Sequence, residues 1–385
     1  MTSNIHFIEA LPRIYQRRIT AGNSLLYGVI YIATGKRSKS SNSSVTLKDV
    51  AALAGVSLGT ASRVFNHQES VSPERCERVR EALKKLNYHP HAVAKRLATG
   101  RTNVLRLYMI QEYPILPSTW GHYLRIIQGV ICVTQAKGYS LELDICSIGD
   151  LEKKNVIVDG AGMSMFDGVL LLGSWPVEYW LIVEIVKNNL PYFLVNTRVP
   201  GKTLNEIEMD NKGAIIEAVR YLHELGHSRI ALISGPAGQI NMADRIDGYR
   251  MGLRQCGLEI RDALQRESDF TIQGGYRALQ DLWAVTPRPS AVVCGNDHLA
   301  AGALRAAMDL GLTVPRDVSI MGFDNHELAQ VTYPALTTIE QPCQELGITA
   351  AERIIALIEG NECENLRTIM PCKLIIREST GRLGV

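Results

Sequence analysis

The chain has 385 residues, 46% hydrophobic and 21% charged, a balance that fits a soluble globular protein of two or three domains. No apolar run approaches the roughly 18–20 residues that span a bilayer, which excludes a membrane-spanning helix. The net charge of +2 hides a split: residues 1–44 hold six Lys/Arg against one Glu and 45–101 hold ten against five, whereas 102–385 hold 25 against 33. Positive charge gathers at one end, where it can neutralise phosphates.

Residues 1–44 read as a basic, disordered extension or an over-long translation start. Their apolar run Leu25–Ala33 is nine residues long, and Gly35–Ser44 has the composition of a flexible linker. The eight cysteines (Cys76, Cys132, Cys146, Cys256, Cys294, Cys343, Cys363 and Cys372) form no C-x-x-C pair and no zinc-like spacing with histidine. They are expected to be buried, reduced thiols of a cytoplasmic protein.

Helical signals begin at Thr46. Its hydroxyl is expected to accept from first-turn amides, with Asp49 completing a capping-box-like pair. Val50, Leu53 and Ala54 fall on one face, and Gly55 stops the helix. Ser57 caps a second helix over about Leu58–Asn66, with Ala61, Val64 and Phe65 inward. That leaves Leu58, Gly59, Thr60, Ser62, Arg63 and Asn66 outward. Ser72-Pro73-Glu74 starts a third helix to about Leu86, burying Val79, Leu83 and Leu86. Two short helices around a glycine turn, followed by a longer one, make a helix-turn-helix, whose second helix can enter the DNA major groove. The domain is placed at 45–90.

From Val104 the pattern alternates. Strands are expected at Val104–Ile110, Ser140–Cys146, Gly168–Leu172, Tyr192–Asn196, Ile230–Ser234, Ala291–Gly295 and Val318–Gly322. Helices are expected at Lys212–Glu224, Arg245–Cys256, Gly275–Leu282 and His298–Leu310. Alternation of this kind marks parallel βαβ units. Two such sheets would form a bilobed α/β body that holds a ligand at the carboxyl ends of its strands. No phosphate loop, dinucleotide fingerprint, nucleophile elbow or H-E-x-x-H is found, so an enzyme has little to stand on. His223 and His227 are four apart, but Gly226 between them marks a helix end, where imidazole suits the dipole better than a metal. No cofactor or metal is expected.

Several segments resemble the LacI family of transcriptional regulators. In the head they are Thr46-Leu47, Asp49-Val50-Ala51, Ala54-Gly55-Val56-Ser57, Thr60, Ser62-Arg63-Val64, Asn66, Val71-Ser72, Leu86-Asn87-Tyr88, Pro90 and Ala94 to Leu97. In the body they are Glu224 to Ile230, Gly295-Asn296-Asp297, Val314 to Ser319, Gly322-Phe323-Asp324, Pro334 to Ile339 and Arg377 to Thr380. The resemblance runs from Val45 to the end and leaves the first 44 residues unmatched.

The resemblance implies a small all-α head followed by a periplasmic-binding-protein-like body with two parallel sheets. Residues 91–101 would be a hinge helix and linker. Lobe one would hold about 102–203 and 333–361, and lobe two about 204–332 and 362–385. It implies that paired hinge helices enter the minor groove, with Leu97 wedged into a base step and Ala94, Lys95 and Arg96 beside it. Among outward residues, Arg63 suits a guanine contact. Leu58 and Gly59 depart from the usual base-reading pattern, and Thr46, Ser57, Thr60, Ser62 and Asn66 suit phosphates. The effector contacts implied are Arg245, Phe270, Asn296 and Asp324, with Asn196 standing where many members place an acid. Gln341 and Tyr123 are weaker candidates, as are His122, Gln239 and Asn241.

The implied partners are a pseudo-palindromic double-stranded operator, a carbohydrate-like small effector and a second copy of the chain, with no membrane. The implied activity is repression. Alternatives are an activator, a regulator answering to a nucleobase or other metabolite and, more distantly, an α/β enzyme with an accessory helical domain. A sugar-binding protein of the transport class should have a secretory leader and no helix-turn-helix.

Overall fold

The computed structural model describes residues 46–65, 71–86, 101–111, 117–147, 165–361 and 367–384. The expectations for the basic extension, Asn66 and the hinge residues Ala94, Lys95, Arg96 and Leu97 lie outside these residues.

The head contains α1 (Leu47–Ala54), α2 (Leu58–Phe65) and α3 (Pro73–Lys85). Its core is Val50, Ala54, Val64, Val79 and Ala82, with Leu83 and Leu86 packed partly against it. Leu53, expected inside, is 52% exposed; Ala51 takes the inward place instead, since the face of this short helix runs through Val50, Ala51 and Ala54. Gly55 closes α1 at φ +62°, the left-handed turn that glycine adopts cheaply. Thr46 and Asp49 form the expected capping box at the start of α1. The Asp49 carboxylate accepts from both the Thr46 amide and its hydroxyl, each at 2.7 Å.

The body starts with β1 (Val104–Ile110), α4 (Pro117–Ala136), β2 (Ser140–Cys146), β3 (Gly168–Gly173), α5 (Tyr179–Lys187), β4 (Tyr192–Val195) and β5 (Glu206–Met209). It continues with α6 (Asn211–Glu224), β6 (Ile230–Ser234), α7 (Ile240–Gln255), β7 (Gln265–Glu267), α8 (Ile272–Trp283), β8 (Ala291–Cys294), α9 (Asp297–Asp309) and β9 (Ser319–Met321). The last elements are α10 (Glu327–Val331), β10 (Thr338–Glu340), α11 (Cys343–Glu359), β11 (Arg367–Met370) and β12 (Lys373–Ile375).

Two parallel sheets result. The first has strand order β11-β5-β4-β3-β1-β2 and the second β7-β6-β8-β9. Strands buried on both faces need near-continuous apolar runs, and Gly168–Gly173 and Ile230–Ser234 supply them, buried throughout. A short antiparallel pair, β10 with β12, lies where the chain passes between lobes.

The expected lobe boundaries need correction. β5 pairs with β4 and with β11, so 206–209 and 367–370 belong to the first sheet and not to the second lobe. In the other direction, Leu336 sits in the second lobe's core and Met321 bridges Thr337, so 333–338 belong there. The reason β5 hides in the sequence is chemical: Glu206 and Glu208 are buried carboxylates, with Arg367 3.3 Å from Glu206 and 3.4 Å from Glu208. Burial, then the neighbouring Glu208, pushes Glu206 up to about 7.

Helices α8 and α9 touch backbone to backbone through glycine. A Cβ on Gly302 would lie 1.9 Å from the Ile272 carbonyl oxygen, and one on Gly275 would lie 2.0 Å from that of Leu299. Gly302→Ala is therefore expected to cost about 1–3 kcal/mol or more. The check is the urea midpoint of the purified protein, which should fall; an unchanged midpoint would contradict this packing.

Candidate functional site

On the head, Ser57 Oγ accepts from the Thr60 amide at 3.1 Å and pairs with the Thr60 hydroxyl at 2.9 Å. Ser57 thus starts α2 as expected. Thr60 is buried, so its side chain supports the turn and does not face outward. Thr46, Ser57, Leu58, Gly59 and Arg63 are exposed, and Ser62 is half-buried. Arg63 folds back lightly, with Nε 3.3 Å from the Gly59 carbonyl. The outer face of α2 therefore offers one guanidinium, one leucine and a bare backbone.

In the body, the carboxyl ends of the strands converge on one cavity of about 490 Å³, including its open mouth. Gln111 follows β1, Ser174 follows β3, Gln239, Asn241 and Arg245 follow β6, Phe270 follows β7, Asn296 follows β8, Asp324 follows β9 and Gln341 follows β10. His122 and Tyr123, on α4, complete the first lobe's side. Strand-end convergence is what parallel sheets impose, because their loops at that end collect in one crevice. Of the seven principal candidates, Tyr123, Arg245, Phe270, Asn296, Asp324 and Gln341 line the cavity. Asn196 stands behind it, donating from Nδ2 to His122 Nε2 at 3.1 Å. Gln111, Ser174 and Met242 also line it and were not singled out in the sequence. For Gln111 and Ser174, a polar residue directly after an apolar strand was the available signal.

Arg245 is the buried centre of the second lobe's wall. Its Nε donates to Asn211 Oδ1 at 2.8 Å, its Nη1 donates to the Gly295 carbonyl, and its Nη2 lies 3.9 Å from Asp324 Oδ1. The guanidinium carbon sits 3.5 Å over the Phe323 ring, a cation–π contact. Burial pulls the Arg245 pKa down and pushes that of Asp324 up, and each is held back chiefly by the other's charge. Gln341 Nε2 donates to Asp324 Oδ1, which leaves the buried Gln341 Oε1 with no partner; Gln111 Nε2 is likewise unpaired. An acceptor and a donor thus remain unmet among the lining residues, where an unmet group costs about 1–3 kcal/mol.

Phe270 and Asp324 hold backbone conformations that side chains seldom adopt, φ +62° and +112°. The Phe270 ring lies against Gly235, where a Cβ would be 2.0 Å from its Cζ. Asn296 caps α9 through Oδ1 to the Leu299 amide at 2.8 Å, so its cavity role is shared with a structural one. On the first lobe, His122 Nδ1 faces Cys343 Sγ at 3.4 Å, and burial followed by the Arg245 charge pulls its pKa down to about 3. The ring is a neutral hydrogen-bonding group with Asn196 as donor. His227, well away, is held by the Ser290 hydroxyl at 3.0 Å and the Gly381 carbonyl at 3.1 Å.

Behind the cavity, Asp297 accepts from the Thr338 hydroxyl at 2.6 Å and the His326 amide at 2.7 Å. Burial, then Asp324, pushes it up to about 8. A folded-state value above the unfolded one means the folded protein keeps a proton that the unfolded chain releases. Stability from this group, and from Glu206, therefore falls as pH rises between about 4 and 8. Melting curves from pH 6 to 9 should show a falling midpoint, and Asp297→Asn should flatten it. A midpoint rising over that range would contradict the assignment.

A helical head with an open second helix, and two parallel sheets meeting at one polar cleft, define a DNA-reading module paired with a small-molecule-binding body. Residues 46–91 match the family described as bacterial regulatory proteins, lacI family, and 219–380 match the periplasmic binding protein-like domain. The chain belongs to the LacI family of transcriptional regulators. It is 34% identical to the HTH-type transcriptional repressor CytR of Escherichia coli (strain K12), covering 90% of this chain and 99% of that protein. It is also 34% identical to the ribose operon repressor of the same strain, covering 80% of this chain and 92% of that one. Among solved structures, the lac repressor dimer bound to operator and the anti-inducer ONPF has a TM-score of 0.75 at 27% identity, covering 88% of this chain and all of that one. The regulator CelR in complex with cellobiose has a TM-score of 0.65 at 31% identity, covering 87% and 99%. No helix among the described residues is long and apolar enough to cross a membrane.

Proposed function

We propose that this protein is a repressor, not an enzyme, that grips a pseudo-palindromic operator as a homodimer. A small hydroxyl-rich effector in the cleft changes that grip. The observation that carries the reading is the cleft's make-up: an aromatic face at Phe270, an arginine–carboxylate pair and a rim of amides and hydroxyls at the strand ends. Sugars present an apolar ring face and a polar edge, which this arrangement complements. The cellobiose complex of CelR and the operator-bound dimer of the lac repressor support the same reading.

The division of labour follows the chain: a head over 45–90 that reads DNA, a hinge over 91–101 in which Leu97 unstacks the operator centre, and a two-lobed body from 102. Arg63 reads a guanine, and Leu58 lies against a thymine methyl. Lobe movement orders or frees the paired hinges, so the two sites are coupled through two global states.

A thermal-shift screen of the purified protein against sugars, nucleosides and amino acids tests the cleft. An effector at 100 times its dissociation constant should add about 2.7 kcal/mol of stability. If no member of the three classes raised the melting temperature, the effector assignment would fail.

A further inference from the structure

Outside the lining, the two lobes are joined along one rim of the cleft. Arg198, on the chain leaving β4 two residues past Asn196, donates from Nη1 and Nη2 to Asp244 Oδ2 and Oδ1, both at 2.7 Å. Asp244 is on α7, beside the cavity residue Arg245. Nη1 also donates to Glu208 Oε2 at 2.6 Å, within Arg198's own lobe. Close by, the Ile240 amide donates across the cleft to the Ser174 carbonyl at 2.7 Å. The Trp175 ring presses on Gly238, where a Cβ would lie 2.7 Å from Cζ3.

We propose that the Arg198–Asp244 fork is the clasp that holds the lobes closed and so tunes the cleft's affinity for its ligand. The tuning clause rests on the effector reading above; the clasp itself does not. Three features make this pair suited to reversible closure. The two parallel N–H···O bonds fix the relative orientation of the lobes as well as their distance. Glu208 keeps Arg198 partnered and aimed when Asp244 leaves, so opening strands no buried charge. The side chains are 25% and 22% exposed, so water can take over each half. Arg198 and Asp244 are positioning residues: neither lines the cavity, but each is within three residues of one that lines it or braces it.

Trp175 reports closure without any ligand. Its emission, taken as the difference between the protein and its Trp175→Phe variant, is measured with acrylamide quenching on the effector-free full chain. Asp244→Asn is expected to increase quenching and shift the emission to the red, with the open-to-closed ratio changing about fivefold, as for a partly exposed charge pair. Arg198→Met should do the same, and the double variant should add nothing, because both remove the same contact between the lobes, the Arg198–Glu208 pair lying within one lobe. Asp244→Glu should retain the closed signal. Raising salt from about 0.05 to 0.5 M should move the parent protein toward the variants and leave Asp244→Asn where it is. Native quenching in Asp244→Asn, or additive effects of the two single variants, would overturn the clasp. Since no effector is used, that outcome would leave the effector reading standing.

Discussion

Arg245→Met is expected to lower the unfolding free energy by about 3–5 kcal/mol, because it breaks a buried ion pair from one side. Arg245 is 5% exposed and serves three acceptors: Asn211, the Gly295 carbonyl and, at longer range, Asp324. Methionine fills much of the volume and can still lie on Phe323, so lost packing is the smaller part. The larger part is the Asn211 Oδ1 and Gly295 carbonyl oxygens left without this donor and the buried Asp324 carboxylate left without its cation. Asp324 is expected to answer by taking a proton, since burial already pushes its pKa up. In a body of this size, a loss of that order corresponds to a fall in melting temperature of about 10 °C. Arg245→Lys should recover only part, because an ammonium cannot present the same fork. A melting temperature within about 2 °C of the parent would show that the arginine is not the keystone of this wall.

The second large effect is functional. Asp324→Ala is expected to weaken effector binding by a factor of about 100 or more while leaving operator binding intact. Asp324 lies between Arg245 and Gln341 and also stands 3.6 Å from His326. Removing its carboxylate frees Gln341 Nε2 and Arg245 Nη2 from their acceptor, so a ligand hydroxyl loses its polar frame. The head is untouched, because it builds its core from α1, α2 and α3 alone. Calorimetric titration with the effector, alongside operator binding, separates the two. A variant that still binds effector normally would remove Asp324 from the site.

Much of this was legible in the sequence because the longer strands of the body are either near-continuous apolar runs, as in β6, or alternate apolar with polar, as in β2. β1, β2 and β6 run as their residue pattern predicts, and Gly168, Tyr192 and Ala291 start β3, β4 and β8 as expected. What was hidden has physical causes. β5 carries two glutamates that only tertiary partners, Arg367 for both and Arg198 for Glu208, make tolerable in a buried strand. β7, β10 and β12 are three residues long, too short for a period to show. α7 begins at Ile240, five residues before the expected start, because its first turn is Ile-Asn-Met-Ala, with a polar residue that faces the cleft and not solvent. Cys132, expected inside, is exposed, since α4 has an open face.

The site divides in the same way. Arg245, Asn296 and Asp324 follow strands that the sequence pattern marks, Phe270 follows the short β7, and the family resemblance points to all four. Gln111 and Ser174 sit in the same kind of position but on segments with no motif, so their place directly after an apolar strand was the one sequence signal, and the converging loops show what it means. Thr60 looked outward by helical spacing, yet its pairing with Ser57 draws it in. On the head, sequence and structure agree on what remains outside: Leu58, Gly59 and Arg63.

The most direct test of regulated, sequence-specific DNA binding is the affinity of the full chain for its own promoter region against random DNA of equal length, at about 150 mM salt. A preference of about 1,000-fold or more is expected, with a steep salt dependence for both. Equal affinity for the two would contradict the account.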